Sequence, residues 1–211
     1  MIYELRTYTL QPGTQATFVT HVAEVGMKVR GEKLGKLEGY WTSEIGVLNQ
    51  VVHLWSFASL EERTRLLNEL GRIESWTRDY LPKARSMMLA QETAILSAVA
   101  PLSPPDGGPN IYELRRYTTH PGKAQDWWSL LSEALPARRK LSPIVGVWLS
   151  ELGPLNQAVH LWSYRDLAER TAMRTKSMTD PQWKEFVGKV PPLLVRMEST
   201  ILMPAPFSPL K

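Results

Sequence analysis

The chain of 211 residues contains no cysteine, which excludes disulfides, zinc–thiolate and iron–sulfur sites and a thiol nucleophile. It also lacks an apolar run of the roughly 18 to 20 residues that a membrane-spanning helix needs, and it begins with a strand-like pattern instead of a signal sequence. No histidines or carboxylates show a metal-ligand spacing such as H-x-x-x-H. We therefore expect a cytoplasmic protein without a membrane span, and the sequence requires no metal and no cofactor.

Neither sign of charge dominates, since 25 basic residues stand against 21 acidic ones and the two are interspersed. A net charge of +4 is too small to indicate a nucleic-acid partner. The densest basic stretches, residues 28–36 and 138–140, fall toward the ends of predicted helices, where cations favour the helix dipole. We predict that they are solvated helix ends.

The sequence contains an internal duplication. The stretch GYWTSEIGVLNQVVHLWSF at 39–57 returns as GVWLSELGPLNQAVHLWSY at 146–164, with 13 of 19 positions identical. The segment at 2–13 returns at 111–122 with 9 of 12 identical. A period near 100 residues indicates a duplicated small domain. We predict domains at 1–97 and 110–203, a Pro/Gly-rich linker at 98–109, and a tail at 204–211 that lies loosely on the surface.

Within each half, the apolar periodicity predicts strand, helix, strand, strand, helix, strand. Right-handed crossovers then give a four-stranded antiparallel sheet with both helices on one face. The other face is left bare, so we expect the two sheets to pack face to face as a barrel-like pseudodimer within one chain.

Local signals support these elements. Capping boxes run from Ser59 to Glu62 and from Asp166 to Glu169. Pro136 is expected to kink or end its helix. In the hairpin turns, Asn49 and its counterpart Asn156 suit unusual dihedral angles.

Alternation along the third strand separates Val52, Leu54 and Ser56 from His53 and Trp55. We expect the first, small apolar face to carry the helices and the second to line a pocket between the two sheets. The candidate ligand-binding residues on that second face are Arg6, Tyr8, His53, Trp55 and Glu92, and their counterparts Arg115, Tyr117, His160, Trp162 and Glu198. Glu4 and Glu113 share it.

Two interpretations of this set stay open. Ionisable groups among aromatic rings can orient a polar small molecule, or they can pair with one another as a satisfied polar core. The paired histidines could serve as base, hydrogen-bond donor or haem ligand, and nothing favours haem. His21 and His120 lack counterparts and are predicted at the surface. Four tryptophans are predicted to be packing residues: Trp41, Trp76, Trp148 and Trp183.

Several motifs resemble the NIPSNAP family of the dimeric α/β-barrel superfamily. They are IYELRxYT followed by Pro-Gly, the block W-x-S-E-x-G-x-L-N-Q-x-V-H-L-W, the segments around Trp76 and Trp183, and the strand E-x-x-I-L. The resemblance implies an α+β fold with two tandem ferredoxin-like βαββαβ domains forming an intrachain dimeric α/β-barrel. It implies no settled reaction, although the superfamily includes cofactor-independent monooxygenases and haem enzymes.

Three functional hypotheses follow. The first is a tandem NIPSNAP-like protein that binds a small apolar or amphipathic molecule between its sheets, with monooxygenase-like chemistry as an extension. The second is a non-catalytic structural or protein-interaction module, with a homo-oligomer of the two-domain chain as one form. The third, RNA binding, is disfavoured because the glycine-aromatic signature of RNA-recognition domains is missing. The sequence identifies no catalytic residues and leaves open whether the chain is an enzyme.

Overall fold

The computed structural model of the chain describes residues 1–31, 33–108 and 110–211. Glu32, within the basic stretch 28–36, and Pro109, the end of the expected linker, lie outside the described residues. The chain divides into two units. Unit 1 comprises Met1–Ile95 and Pro204–Leu210, and unit 2 comprises Leu96–Met203 with Lys211.

The first repeat has the expected element order, with its helical segments interrupted by π-helical turns. Its strands are β1 (Ile2–Leu10), β2 (Lys36–Ile45), β3 (Gln50–Phe57) and β4 (Met88–Ala100), and its helices are α1 (Gln15–His21), α2 (Met27–Arg30), α3 (Leu60–Leu70) and α4 (Leu81–Ser86). The π-helical turns span Val22–Gly26 and Trp76–Tyr80. Such turns accommodate one extra residue within a helix.

The second repeat has the same order, and its first helix is a single α-helix without a π-helical turn. Its strands are β5 (Ile111–Thr119), β6 (Ile144–Leu152), β7 (Gln157–Tyr164) and β8 (Leu194–Pro204), and its helices are α5 (Ala124–Arg139), α6 (Leu167–Ser177) and α7 (Pro181–Lys189), followed by a 3₁₀ turn (Pro191–Leu193). Pro136 does not end its helix, because α5 continues through it to Arg139, so that part of the expectation is wrong. The hydrogen bond that proline cannot donate is lost close to the end of the helix.

Each unit contains a sheet in the ferredoxin-like strand order. β1 pairs antiparallel with β3 and β3 with β2, while β4 is the neighbour on the other side of β1. In unit 2, β5 lies between β7 and β8, and β6 pairs with β7. The α+β class and the two βαββαβ repeats are confirmed.

The local signals behave as expected. Ser59 accepts a hydrogen bond from the Glu62 amide, and Asp166 accepts one from the Glu169 amide, so both helix caps are confirmed. Asn49 and Asn156 have φ angles of 56° and 55°. This left-handed conformation, which asparagine tolerates, closes both hairpins.

The C-terminal tail is more firmly held than the sequence suggests. Within unit 1, the Ala205 amide donates to the Tyr40 carbonyl at 2.9 Å, and the Tyr40 amide donates to Ser208 Oγ at 3.0 Å. The Phe207 ring packs on the Tyr40 ring. The expectation of a loose tail is therefore wrong, because backbone pairing to β2 holds it in place.

Among the described residues, no helix combines the length and apolar character needed to cross a bilayer.

Candidate functional site

The paired strands bring most of the candidate residues onto one face. Arg115 lies opposite His160, and Glu113 lies opposite Trp162, across the β5–β7 ladder. The same register places Arg6 opposite His53 in unit 1. Because directly opposed residues share a face of a sheet, the predicted grouping of glutamate, arginine, histidine and tryptophan is confirmed in both units.

The helices cover this face, which overturns the prediction that it lines a space between the sheets. In unit 2, Trp162 and Tyr117 belong to one buried cluster with Trp127 of α5 and Trp183 and Phe186 of α7. Alternation along a strand shows which side chains share a face but not which face the helices cover. The helices of this protein contribute large rings that match the aromatic face.

Glu92 and Glu198 lie on the opposite side of their strands from the other candidates, so their predicted place on this face is wrong. In β8, Ser199 and not Glu198 is the residue opposite Arg115. Ser199 Oγ donates to Glu113 Oε1 at 2.6 Å, and in unit 1 Thr93 Oγ1 donates to Glu4 Oε1 at 2.8 Å. In each repeat, therefore, the last strand contributes a hydroxyl group from the residue that follows the predicted glutamate: Thr93 after Glu92, and Ser199 after Glu198.

A tryptophan–histidine hydrogen bond is built into both units. Trp55 Nε1 donates to His53 Nδ1 at 2.6 Å, and Trp162 Nε1 donates to His160 Nδ1 at 2.7 Å. The indole nitrogen is only a donor, so each Nδ1 must be an unprotonated acceptor and the ring proton must lie on Nε2. The two-residue spacing of the H-x-W motif along one strand produces this geometry.

Both imidazoles are neutral donors. Burial lowers the pKa of His53 and His160 well below 6.5, and the nearby charges of Arg6 and Arg115 respectively lower it further. Within the described chain, neither Nε2 has a hydrogen-bond partner. Each ring thus presents one unused N–H group, because the tryptophan already occupies Nδ1.

Two buried arginines stack on these tryptophans. The Arg30 guanidinium lies 3.8 Å from the centroid of Trp55, and that of Arg138 lies 4.7 Å from the centroid of Trp162. Arg138 is only 3% exposed and donates to the Tyr164 hydroxyl at 3.2 Å. The prediction that both basic stretches are solvated helix ends is wrong for these two residues, because a planar guanidinium can be buried against an indole face.

A buried carboxylate anchors the arginines at the edge of the site. Glu113 is fully buried, and its Oε1 is 2.6 Å from Arg170, 3.1 Å from Arg115 and 3.7 Å from Arg174. Desolvation alone would raise its pKa, but the Arg170 hydrogen bond and the Arg115 charge lower it to about 2. In unit 1, Glu4 binds Arg63 and Arg6 in the same way.

Arg63 and Arg170 were not among the predicted site residues, although the sequence carries a signal for them. The tripeptide Glu-Arg-Thr follows both helix caps, at 62–64 and 169–171. An arginine kept at the same position of a mostly exposed helix in both copies indicates a shared partner, and that partner is the strand glutamate.

In unit 2 the face borders a cavity of about 610 Å³ between the sheet and the helices. The strands contribute Arg115, Tyr117, His160, Trp162, Tyr164 and Met197, and the helices contribute Trp127, Leu131, Arg138, Arg174, Trp183, Phe186 and Val187. Most of the wall is apolar, with a few convergent polar groups, as in small-molecule sites.

The corresponding imidazole in unit 1 packs against a different pair of rings, since His160 meets Tyr117 edge-on at 4.7 Å and Trp127 at 5.3 Å. The Tyr40 ring stacks on His53 at a centroid distance of 4.8 Å, and Tyr8 meets it edge-on at 4.8 Å. Val147 of unit 2 occupies the strand position of Tyr40, opposite His160. The two repeats therefore keep the same polar residues but cover the imidazole differently.

The two histidines without counterparts differ from each other. His21 is buried: its ring stacks on Tyr80, and its Nε2 lies 3.0 Å from the Tyr80 carbonyl oxygen. Its predicted surface position is therefore wrong. His120 is exposed, as predicted. The predicted packing role of Trp41, Trp76, Trp148 and Trp183 agrees with their burial.

Comparison with known proteins identifies the family. The sequence model of the NIPSNAP family matches the chain twice, at residues 3–104 and 112–209. The chain belongs to the NIPSNAP family. A NipSnap homolog from Dictyostelium discoideum is 32% identical over 96% of this chain and 87% of its own length. Human NipSnap homolog 2 is 32% identical over the whole of this NIPSNAP chain and 75% of its own length.

Solved structures extend the comparison to more distant proteins. An anthrone oxidase-like protein matches 96% of this NIPSNAP chain and 90% of its own length with a TM-score of 0.69. The sequence identity is 11%, so the match shows a shared fold and nothing about activity.

Proposed function

We propose that this NIPSNAP chain binds a small apolar or amphipathic molecule in unit 2, between the sheet and its helices. The observation that carries the proposal is the 610 Å³ cavity, with apolar walls and the unused N–H group of His160. Cavities of about 300 to 1,000 Å³ with few polar groups are typical of small-molecule sites. At about 30 Å³ per water molecule, this volume suits a ligand of roughly 20 non-hydrogen atoms.

Partly filling the cavity should weaken ligand binding. Val187 lies in the cavity wall and is half-buried, so Val187→Phe should place a ring in the cavity. We expect Val187→Phe to weaken binding of an apolar probe such as 2-(1-naphthyl)ethanol at least ~10-fold, which is about 1.4 kcal/mol. Isothermal titration calorimetry measures the affinity.

The matched control is Val187→Ala, which enlarges the cavity at the same position and should still bind the probe. Equal affinity of the Phe and Ala variants would place the probe elsewhere and refute the cavity as the site. Oxygen uptake by the protein–probe complex tests the monooxygenase-like extension, which rests on the shared fold alone.

A second candidate, a protein-interaction module, is favoured by the hairpin turns. Val47 and Leu48 in the β2–β3 turn are about 60% exposed, and Leu155 in the β6–β7 turn is 65% exposed. Apolar side chains displayed at the same position in both repeats suit contact with another protein. Sedimentation of the wild type against a Leu48→Glu, Leu155→Glu double variant distinguishes the candidates, because only an assembly formed through these turns would dissociate.

A further inference from the structure

The buried N–H donors on the cavity wall that have no acceptor within the described chain include Nε2 of His160, Nη1 of Arg138 and Nε1 of Trp127. His160 and Arg138 are each 3% exposed. Trp162 positions both of them, since its Nε1 binds the imidazole and its ring face carries the guanidinium. A buried donor without an acceptor is costly, so an acceptor supplied by a ligand would stabilise both.

The charge around the cavity favours an anion. Within the described residues, five guanidinium groups lie at or beside it, and four of them form ion pairs with two carboxylates, Glu113 and Glu198. The arginines are Arg115, Arg138, Arg170, Arg174 and Arg196. Arg138 is paired with neither carboxylate and donates to a neutral hydroxyl. Burial lowers the pKa of Arg138 and Arg174, because desolvation disfavours the charged form of each guanidinium.

The rest of the wall suits an apolar body. Leu131, Trp183 and Phe186 line the cavity from the helices, and Leu194 lines it from the last strand. Aromatic and aliphatic side chains of this kind bind flat or extended hydrocarbon surfaces.

We infer that the ligand of unit 2 is an apolar carboxylic acid, with its carboxylate accepting hydrogen bonds from His160 Nε2 and Arg138 Nη1 and its hydrocarbon body against the aromatic wall. A carboxylate fits because it accepts from two donors and supplies the missing negative charge. The inference rests on the proposed function, since it names the ligand class of the same cavity.

The test compares probes that share a body and differ in the polar group. 1-Naphthaleneacetate carries the carboxylate, 2-(1-naphthyl)ethanol is neutral and 2-(1-naphthyl)ethylamine is cationic, while tetradecanoate tests an aliphatic body. We expect the naphthyl acid to bind the wild-type chain at least ~10-fold more tightly than the alcohol, and the amine most weakly, because hydrogen bonds to a charged acceptor are stronger than those to a neutral one. Titration calorimetry gives each affinity.

Variants then assign the recognition to named groups. Arg138→Met should weaken binding of the acid by ~10- to 100-fold and binding of the alcohol by less than ~3-fold. His160→Phe should act in the same direction, while Arg138→Lys, which keeps the charge, should retain part of the affinity. The duplication provides matched controls in unit 1: Arg30→Met and His53→Phe remove the equivalent groups there and should leave the acid affinity unchanged.

Two failures are distinguishable. If the alcohol binds as tightly as the acid and Val187→Phe blocks both, the cavity is a ligand site but carboxylate recognition is refuted. If no probe binds at millimolar concentration, the proposed function fails together with the inference. The comparison among probes uses the wild-type chain, so it remains decisive even where a variant does not fold.

Discussion

Replacing Glu113 by glutamine should destabilise the protein by about 3 kcal/mol at neutral pH. The substitution keeps the shape of the side chain but removes the charge that compensates Arg170 and Arg115. Removing one partner from a buried ion pair costs about 3 to 5 kcal/mol, since the other charge stays buried. The lowered pKa of Glu113 indicates a destabilisation of the same size, because a fall in pKa from 4.5 to about 2 corresponds to about 3 kcal/mol.

The effect should depend on pH in a defined direction. The folded-state pKa of Glu113 is depressed, so its contribution to the free energy of unfolding is complete above about pH 4.5 and is lost as the pH falls toward about 2. The free energies of unfolding of the wild type and Glu113→Gln, measured in urea, should therefore converge as the pH falls through this range. The control is Glu185→Gln, since Glu185 pairs with Lys189 on the surface and its loss should leave the midpoint unchanged. Equal stability of wild type and Glu113→Gln at pH 7 would refute the anchoring role.

Adding one methyl group at Gly146 should cost a similar amount, about 3 kcal/mol. A Cβ atom there would overlap the indole ring of Trp148, and a Cβ at Gly39 would overlap Trp41 in the same way. Both tryptophans are 1% exposed, so neither ring can move into solvent. Overpacking a buried site costs about 1 to 3 kcal/mol and occasionally more. The G-x-W motif of both repeats therefore has a structural cause.

Gly188 provides the control for this prediction. It lies in α7 with no atom within 4 Å of an added Cβ, so Gly188→Ala should be neutral or stabilise the helix by up to about 1 kcal/mol. Chemical denaturation followed by tryptophan fluorescence measures all three proteins. If the Gly146→Ala variant were as stable as Gly188→Ala, the packing of the Trp148 ring would not require a glycine at position 146.

The fold could be predicted from the sequence because the chain records it twice. Two copies of each strand, helix cap and turn gave the order of the elements. The domain bounds at 1–97 and 110–203 stay a prediction. The alternation around His53 and His160 correctly grouped the side chains that share a face, since that depends only on the two-residue period of a strand.

The position of the site could not be predicted from the same pattern. Which face of a sheet the helices cover depends on the side chains that the helices contribute, such as Trp127 and Trp183. Burial of Arg138 at the end of α5 also escaped prediction, because a cation at a helix terminus is ordinarily solvated. The prediction for Glu198 was wrong because an error of one residue in the alternation of a strand moves a side chain to the opposite face.

Binding of the acid to His160 can be observed directly by ¹⁵N NMR of the histidine rings during titration with 1-naphthaleneacetate. We expect His53 and His160 both to carry their proton on Nε2 and to stay neutral from pH 8 to pH 6. Addition of the acid should then shift the Nε2–H resonance of His160 and leave that of His53 unchanged. A His160 protonated on Nδ1, or one whose resonance does not move while the acid binds, would refute the proposed binding mode.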